Sequence, residues 1–141
     1  MRRSFLMTDE IVRYTEQDHI GTLVLNRPKA HNALTYDSYR LLEDTVREST
    51  ARVIVITGEG STFCAGDDMK AILGSSEGPP PDAIERSRRS GGLTPAADAL
   101  LHTDIPVIAA VNGPAVGWGM ELALMADLRV ASTTARFGEL F

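Results

Sequence analysis

Two glycine-containing turns and one glutamate give this 141-residue chain its candidate chemistry. Gly58-Glu59-Gly60-Ser61-Thr62-Phe63 follows one β-branched run, and Gly113-Pro114-Ala115-Val116-Gly117-Trp118-Gly119 follows another. As phosphate cradles both fail. A dinucleotide fingerprint needs G-x-G-x-x-G, and Phe63 and Leu122 stand where the third glycine belongs; neither turn continues as Gly-Lys-Ser/Thr. A carbonyl oxygen is a better fit. Gly117 to Gly119 leads into a helix, whose first N–H groups lack intrahelical acceptors and carry partial positive charge, and glycine lets backbone approach a ligand closely. With a second N–H near Gly66 aimed at the same spot, the pair would form an oxyanion hole, and Glu121 in the first helical turn would stand beside it for proton transfer. On spacing alone the simpler alternative is a tight strand-to-helix turn with an ordinary exposed glutamate. Metal binding has no support: His19, His31 and His102 are solitary, and Cys64, the single cysteine, has no partner at ligand spacing.

The elements that must position these residues alternate between strand and helix. Ile11 to Asn26 reads as a hairpin broken at Glu16-Gln17-Asp18, followed by a loop over Arg27 to Asn32. Thr35 stands as N-cap for a helix over Tyr36 to Glu48, with Leu41, Leu42 and Val46 as its apolar stripe. Val53 to Thr57 reads as a strand buried on both faces in a parallel sheet, and Ile105 to Val111 as its neighbour, with Pro106 at the entry. Gly74 to Pro81 is a low-complexity stretch, expected to be a mobile loop. Asp82 to His102 is helical in two pieces interrupted at Gly91-Gly92, with Arg86, Arg88 and Arg89 read as a solvated face. Glu121 to Ala126 reads as helix and Asp127 to Ala131 as strand. A helix between strands marks an α/β fold.

Composition narrows the class. With 43% hydrophobic and 23% charged residues the chain can bury one core, and disorder throughout or a membrane span is not expected. Its net charge of −5 and scattered basic residues argue against nucleic acid as a partner. A lone cysteine and the absence of an apolar leader after Met1-Arg2-Arg3 predict a cytoplasmic protein. Met7 is an alternative start, and residues 1–10 are read as an N-terminal extension to a domain over 11–141. Arg136-Phe137-Gly138-Glu139-Leu140-Phe141 carries two aromatics and no polar tail, so the chain reads as cut within a larger domain.

Val53 to Lys70, VIVITGEGSTFCAGDDMK, together with Ala110 to Ser132, AVNGPAVGWGMELALMADLRVAS, resembles the two hallmark segments of the enoyl-CoA hydratase/isomerase, or crotonase, superfamily. Asn26-Arg27-Pro28-Lys29-Ala30 and Ala135-Arg136-Phe137-Gly138 agree in order and spacing. The resemblance implies the ClpP/crotonase-like fold of repeated ββα units with its C-terminal part missing, and an acyl-CoA thioester substrate. No cofactor is implied beyond the coenzyme A of that substrate, and a homotrimer or hexamer only for a full-length chain. By position it makes the N–H groups of Asp67 and Trp118 the oxyanion donors, Trp118 standing where most relatives have glycine, with Gly119 beside them. Glu121 matches the first hydratase glutamate. The second falls on Phe141, which leaves isomerisation or other enolate chemistry beside hydration, with Glu139 as a substitute two residues away. Lys29, Ala30, Ala65, Gly66, Asp68 and Lys70 would line the coenzyme A groove. His31 is read as loop surface and Cys64 as an inert buried thiol. A non-catalytic CoA-binding fragment is the alternative of another class.

Overall fold

Strands β2 (Val12–Gln17) and β3 (Ile20–Leu25) form the expected hairpin, pairing antiparallel from Val12 opposite Leu25 to Gln17 opposite Ile20. Asp18 and His19 make the turn, both at positive φ (51° and 68°), as a two-residue turn between right-twisted strands requires. The computed structural model describes residues 6–8, 11–74 and 76–140. Phe141 therefore lies outside the described residues, as do 1–5 and 9–10. β1 (Leu6–Thr8) pairs antiparallel with β2, so the sheet takes in part of the stretch read as an extension.

After β3 a single 3-10 turn, Pro28–Ala30, leads to α1 (Tyr36–Glu48). Its start is the one expected: Thr35 Oγ1 accepts the Ser38 N–H at 3.2 Å, and Ser38 Oγ accepts the Thr35 N–H at 3.1 Å, a reciprocal box that satisfies two otherwise orphaned donors. Leu41, Leu42 and Val46 are buried. β4 (Val53–Gly58) runs parallel to β3 and to β5 (Val107–Val111), with Ile54 opposite Val107. The full order is β1-β2-β3-β4-β5-β7, β7 being Leu128–Ala131 and parallel to β5. Burial of β4 departs from the two-faced expectation. Ile54 and Ile56 are fully enclosed, whereas Val53, Val55 and Thr57 are half-buried, because α1, α4 (Pro95–His102) and α5 (Trp118–Met125) join the core on the Ile54 side.

Three further differences concern helices. A short α2 (Met69–Leu73), not anticipated, starts at Asp68, whose carboxylate accepts the Ala71 N–H at 3.2 Å. α3 (Pro81–Arg89) and α4 are the two expected pieces, but Arg86 is no solvated residue: its guanidinium bonds Glu43 at 2.6 Å and Asp44 at 2.7 Å on α1. Arg88 and Arg89 do face solvent, paired with Glu85. α5 begins at Trp118, one turn before the expected Glu121. Finally β6 (Ala115–Val116) and β8 (Phe137–Gly138) pair in parallel as a separate two-stranded sheet. Among the described residues no helix is long and apolar enough to cross a membrane.

Candidate active site

The segment from Cys64 to Asp68 runs between two neighbours. On one side the Cys64 N–H donates to the Pro114 carbonyl at 3.2 Å and its carbonyl accepts the Val116 N–H at 2.9 Å. On the other, the Ala65 N–H donates to His31 at 3.0 Å, the Gly66 carbonyl accepts the Leu34 N–H at 2.8 Å and the Asp68 N–H donates to Leu34 at 2.8 Å. Gly66 turns the backbone at φ +86°, a conformation that favours glycine. A trans peptide holds its C=O and N–H in opposite directions. Since the Gly66 carbonyl points at Leu34, the Asp67 N–H points away from Leu34, and among the described residues it has no backbone acceptor.

The same argument fixes the second N–H. The Gly117 carbonyl accepts from the Met120 and Glu121 N–H groups at 2.8 and 3.1 Å, so it points along α5 and the Trp118 N–H points out of the helix start. The two peptides are neighbours: a Cβ on Gly66 would lie 3.3 Å from the Trp118 nitrogen and 2.8 Å from the Val116 carbonyl oxygen. Gly119 brings α5 this close, since a Cβ there would come within 2.2 Å of the Cys64 carbonyl oxygen and force the segments apart. Its part in the site is close packing.

Glu121, half-buried in the first turn of α5, follows Trp118 by three residues, a spacing that places both on one helix face. Among the described residues no side chain hydrogen-bonds or pairs with its carboxylate. A cavity of about 280 Å³ opens beside the two peptides, and Asp67 and Trp118 share its wall with Tyr39, Ile72 and Ile84; Glu121 is not part of that wall. Tyr39 was not singled out from the sequence. Its hydroxyl donates to Asp67 Oδ1 and its ring meets Trp118 edge to face, 4.8 Å between centroids at 88°. Burial first, then the Asp67 carboxylate and the charge of Glu121, hold its hydroxyl pKa far above the usual tyrosine value, so the O–H remains a donor. The available signal was its place on the core face of α1, three residues before Leu42 and seven before Val46.

The remaining candidates lie in two facing segments. Arg27 Nη2 bonds Asp68 Oδ2 at 2.9 Å, and this guanidinium, with the Ala71 N–H, holds the Asp68 carboxyl below its ordinary range. The Asp68 carboxylate is thus occupied in capping α2 and tying it to the 3-10 turn. Lys29 and Lys70, each two residues beyond one end of this ion pair, are exposed, and among the described residues neither is paired. Ala30 and Ala65 are half-buried in the same segments. His31 is exposed, as expected, at φ 51°. Asn32, another residue not anticipated, is 1% exposed: it accepts the Arg27 N–H at 2.9 Å and donates to Glu59 and Thr62 carbonyls at 3.0 and 2.7 Å. Glu139 is exposed and follows Gly138, whose carbonyl accepts the Gly117 N–H at 2.8 Å.

The enoyl-CoA hydratase/isomerase family model matches residues 15–141. The chain belongs to the enoyl-CoA hydratase/isomerase family. It is similar to the (E)-benzylidenesuccinyl-CoA hydratase of Thauera aromatica, 41% identical over 86% of this chain and 46% of that protein. It is also similar to the crotonyl-CoA hydratase of Syntrophomonas wolfei, 35% identical over 94% and 51%. Among solved structures, a Thermobifida fusca YX protein in complex with acetoacetyl-CoA superposes at TM-score 0.73, with 29% identity over 91% of this chain and 53% of that one. The chain has the crotonase fold expected from the sequence, as its solved relatives do, and spans about half the length of the proteins it matches.

Proposed function

We propose that the protein acts on acyl-CoA thioesters through an enolate held between the N–H groups of Asp67 and Trp118. The observation that carries this reading is that two peptide N–H groups with no backbone acceptor, 51 residues apart, lie side by side, with Glu121 in the first turn of the helix that supplies the second. In the reaction the Glu121 carboxylate takes a proton from the carbon next to the thioester carbonyl. The C–H electron pair forms a double bond to the carbonyl carbon, the C=O π pair moves to the oxygen, and the two N–H groups stabilise the charge that develops there. Return of the proton to a different carbon moves a double bond, which one carboxylate can accomplish. Hydration needs water's hydroxyl added to the β-carbon and a proton to the α-carbon, work suited to a second carboxylate. Glu139 is favoured for that role by the Gly117–Gly138 hydrogen bond, which docks its backbone against the start of α5. Lys29 and Lys70 would meet the coenzyme A phosphates as point charges. The acetoacetyl-CoA complex of the T. fusca relative supports a thioester ligand.

Glu121→Gln tests the proton step. It keeps shape and removes the base, so acyl-CoA binding should persist while isomerisation and hydration rates fall about 10²- to 10⁴-fold, the usual range for general acid–base catalysis. Retention of most activity would remove Glu121 from the mechanism and make Glu139→Gln the next variant.

A further inference from the structure

We propose that Tyr39 is a positioning residue that sets the separation and polarity of the two N–H donors, an inference that rests on the enolate reading above. One side chain reaches both donor residues: its hydroxyl bonds Asp67 Oδ1 and its ring edge packs on Trp118. Among the described residues no other group hydrogen-bonds the Asp67 side chain. Asp67 is thereby gripped from both sides of the α1 N-cap, at its flanking peptides by Leu34 just before it and at its carboxylate by Tyr39 in the first turn. The reciprocal Thr35–Ser38 box between these two residues fixes their relative placement.

The arrangement also answers an electrostatic problem. A carboxylate on the donor residue itself opposes the negative charge that must form there. The Tyr39 O–H draws the Asp67 carboxylate toward α1 and takes up one of its lone pairs, so the backbone N–H faces the site without its own side chain competing. Tyr39 is 7% exposed and Trp118 9%, so packing keeps both rings in place while the ligand changes.

Acetoacetyl-CoA is the probe, because its β-keto thioester absorbs distinctly when it ionises to the enolate, and the bound enolate fraction reports on oxyanion stabilisation independently of affinity. Tyr39→Phe keeps the ring on Trp118 and loses the hydrogen bond. The enolate-to-ketone ratio of the bound probe should fall about tenfold, equivalent to about 1.4 kcal/mol, with little change in binding. Asp67→Asn, which still offers Tyr39 an oxygen and removes the opposing charge, should keep the ratio at or above the native value. A Tyr39→Phe protein with the native ratio overturns the proposal. A native protein that binds acetoacetyl-CoA without forming enolate overturns it too, leaving thioester binding intact. A native protein that does not bind the probe overturns the reading beneath it.

Discussion

Cys64 sits one residue before the Ala65-Gly66 turn, fully buried, with its Sγ 3.3 Å from the Asn32 carbonyl. Burial, with a smaller contribution from the Asp67 charge, pushes the thiol up to about 12. A thiol so placed is a packing group, and its raised value has a definite sign for stability. Above the unfolded value near 9.0 the unfolded chain loses its proton while the folded chain keeps it. The stability this group provides is therefore complete below about 9 and declines as pH rises toward about 12. The thiol of the native protein should resist an aromatic disulfide reagent at pH 8 and react fully in denaturant; rapid native labelling would contradict the enclosed site. At this scale the sequence makes the turn at Gly66 legible, because a glycine turn leaves a local signature. Tyr39 and Asn32 are not legible, since their value lies in polar contacts to residues about 30 positions away, Asp67 and Thr62.

Helix α1 does two jobs, closing the core and presenting Tyr39 to the site, and its start depends on the Thr35–Ser38 box. Thr35→Ala removes the hydroxyl that accepts the Ser38 N–H and should cost about 1 kcal/mol in chemical denaturation. An unchanged midpoint would mean that Leu34 and Tyr39 are held by packing alone. α1 also carries Glu43, only 5% exposed, between Arg47 at 2.9 Å and Arg86 at 2.6 Å, which locks α3 over the cavity. The boundaries of α1 and β5 are readable because a cap residue and a β-branched run mark them. The start of α5 is not: Trp118-Gly119-Met120 precedes an almost uniformly apolar stretch, which has no stripe to phase, and its two neighbouring glycines disguise a helical turn. α2 escapes notice because five residues are too few for a periodic pattern.

Across the whole molecule, the parallel pairing of β3, β4, β5 and β7 brings the turns after β4 and β5 to the same end of the sheet, and this convergence makes neighbours of Gly66 and Trp118. The strand neighbours β4 and β5 were readable in the sequence, whereas the half-open burial of β4 was not, since it depends on which side the helices pack. Among the described residues β7 is the last strand of the sheet, with Leu128 and Val130 62% and 67% exposed, and Leu124 of α5 is 57% exposed. An open apolar edge favours pairing between chains. The chain should self-associate with rising concentration in sedimentation velocity, and Val130→Lys should reduce that association; a strictly monomeric native chain would refute the edge argument. In the proposed reaction two backbone N–H groups stabilise a thioester enolate, and one of them can be deleted. Trp118 is the first residue of α5, a position where proline is accepted, so Trp118→Pro removes the N–H and Trp118→Ala keeps it while losing the same ring. The measurement is the rate at which each variant exchanges the α-protons of an acyl-CoA with deuterated water. The account predicts a Trp118→Pro rate about 10²- to 10³-fold below that of Trp118→Ala, the usual worth of one oxyanion donor. Equal rates in the two variants would contradict it.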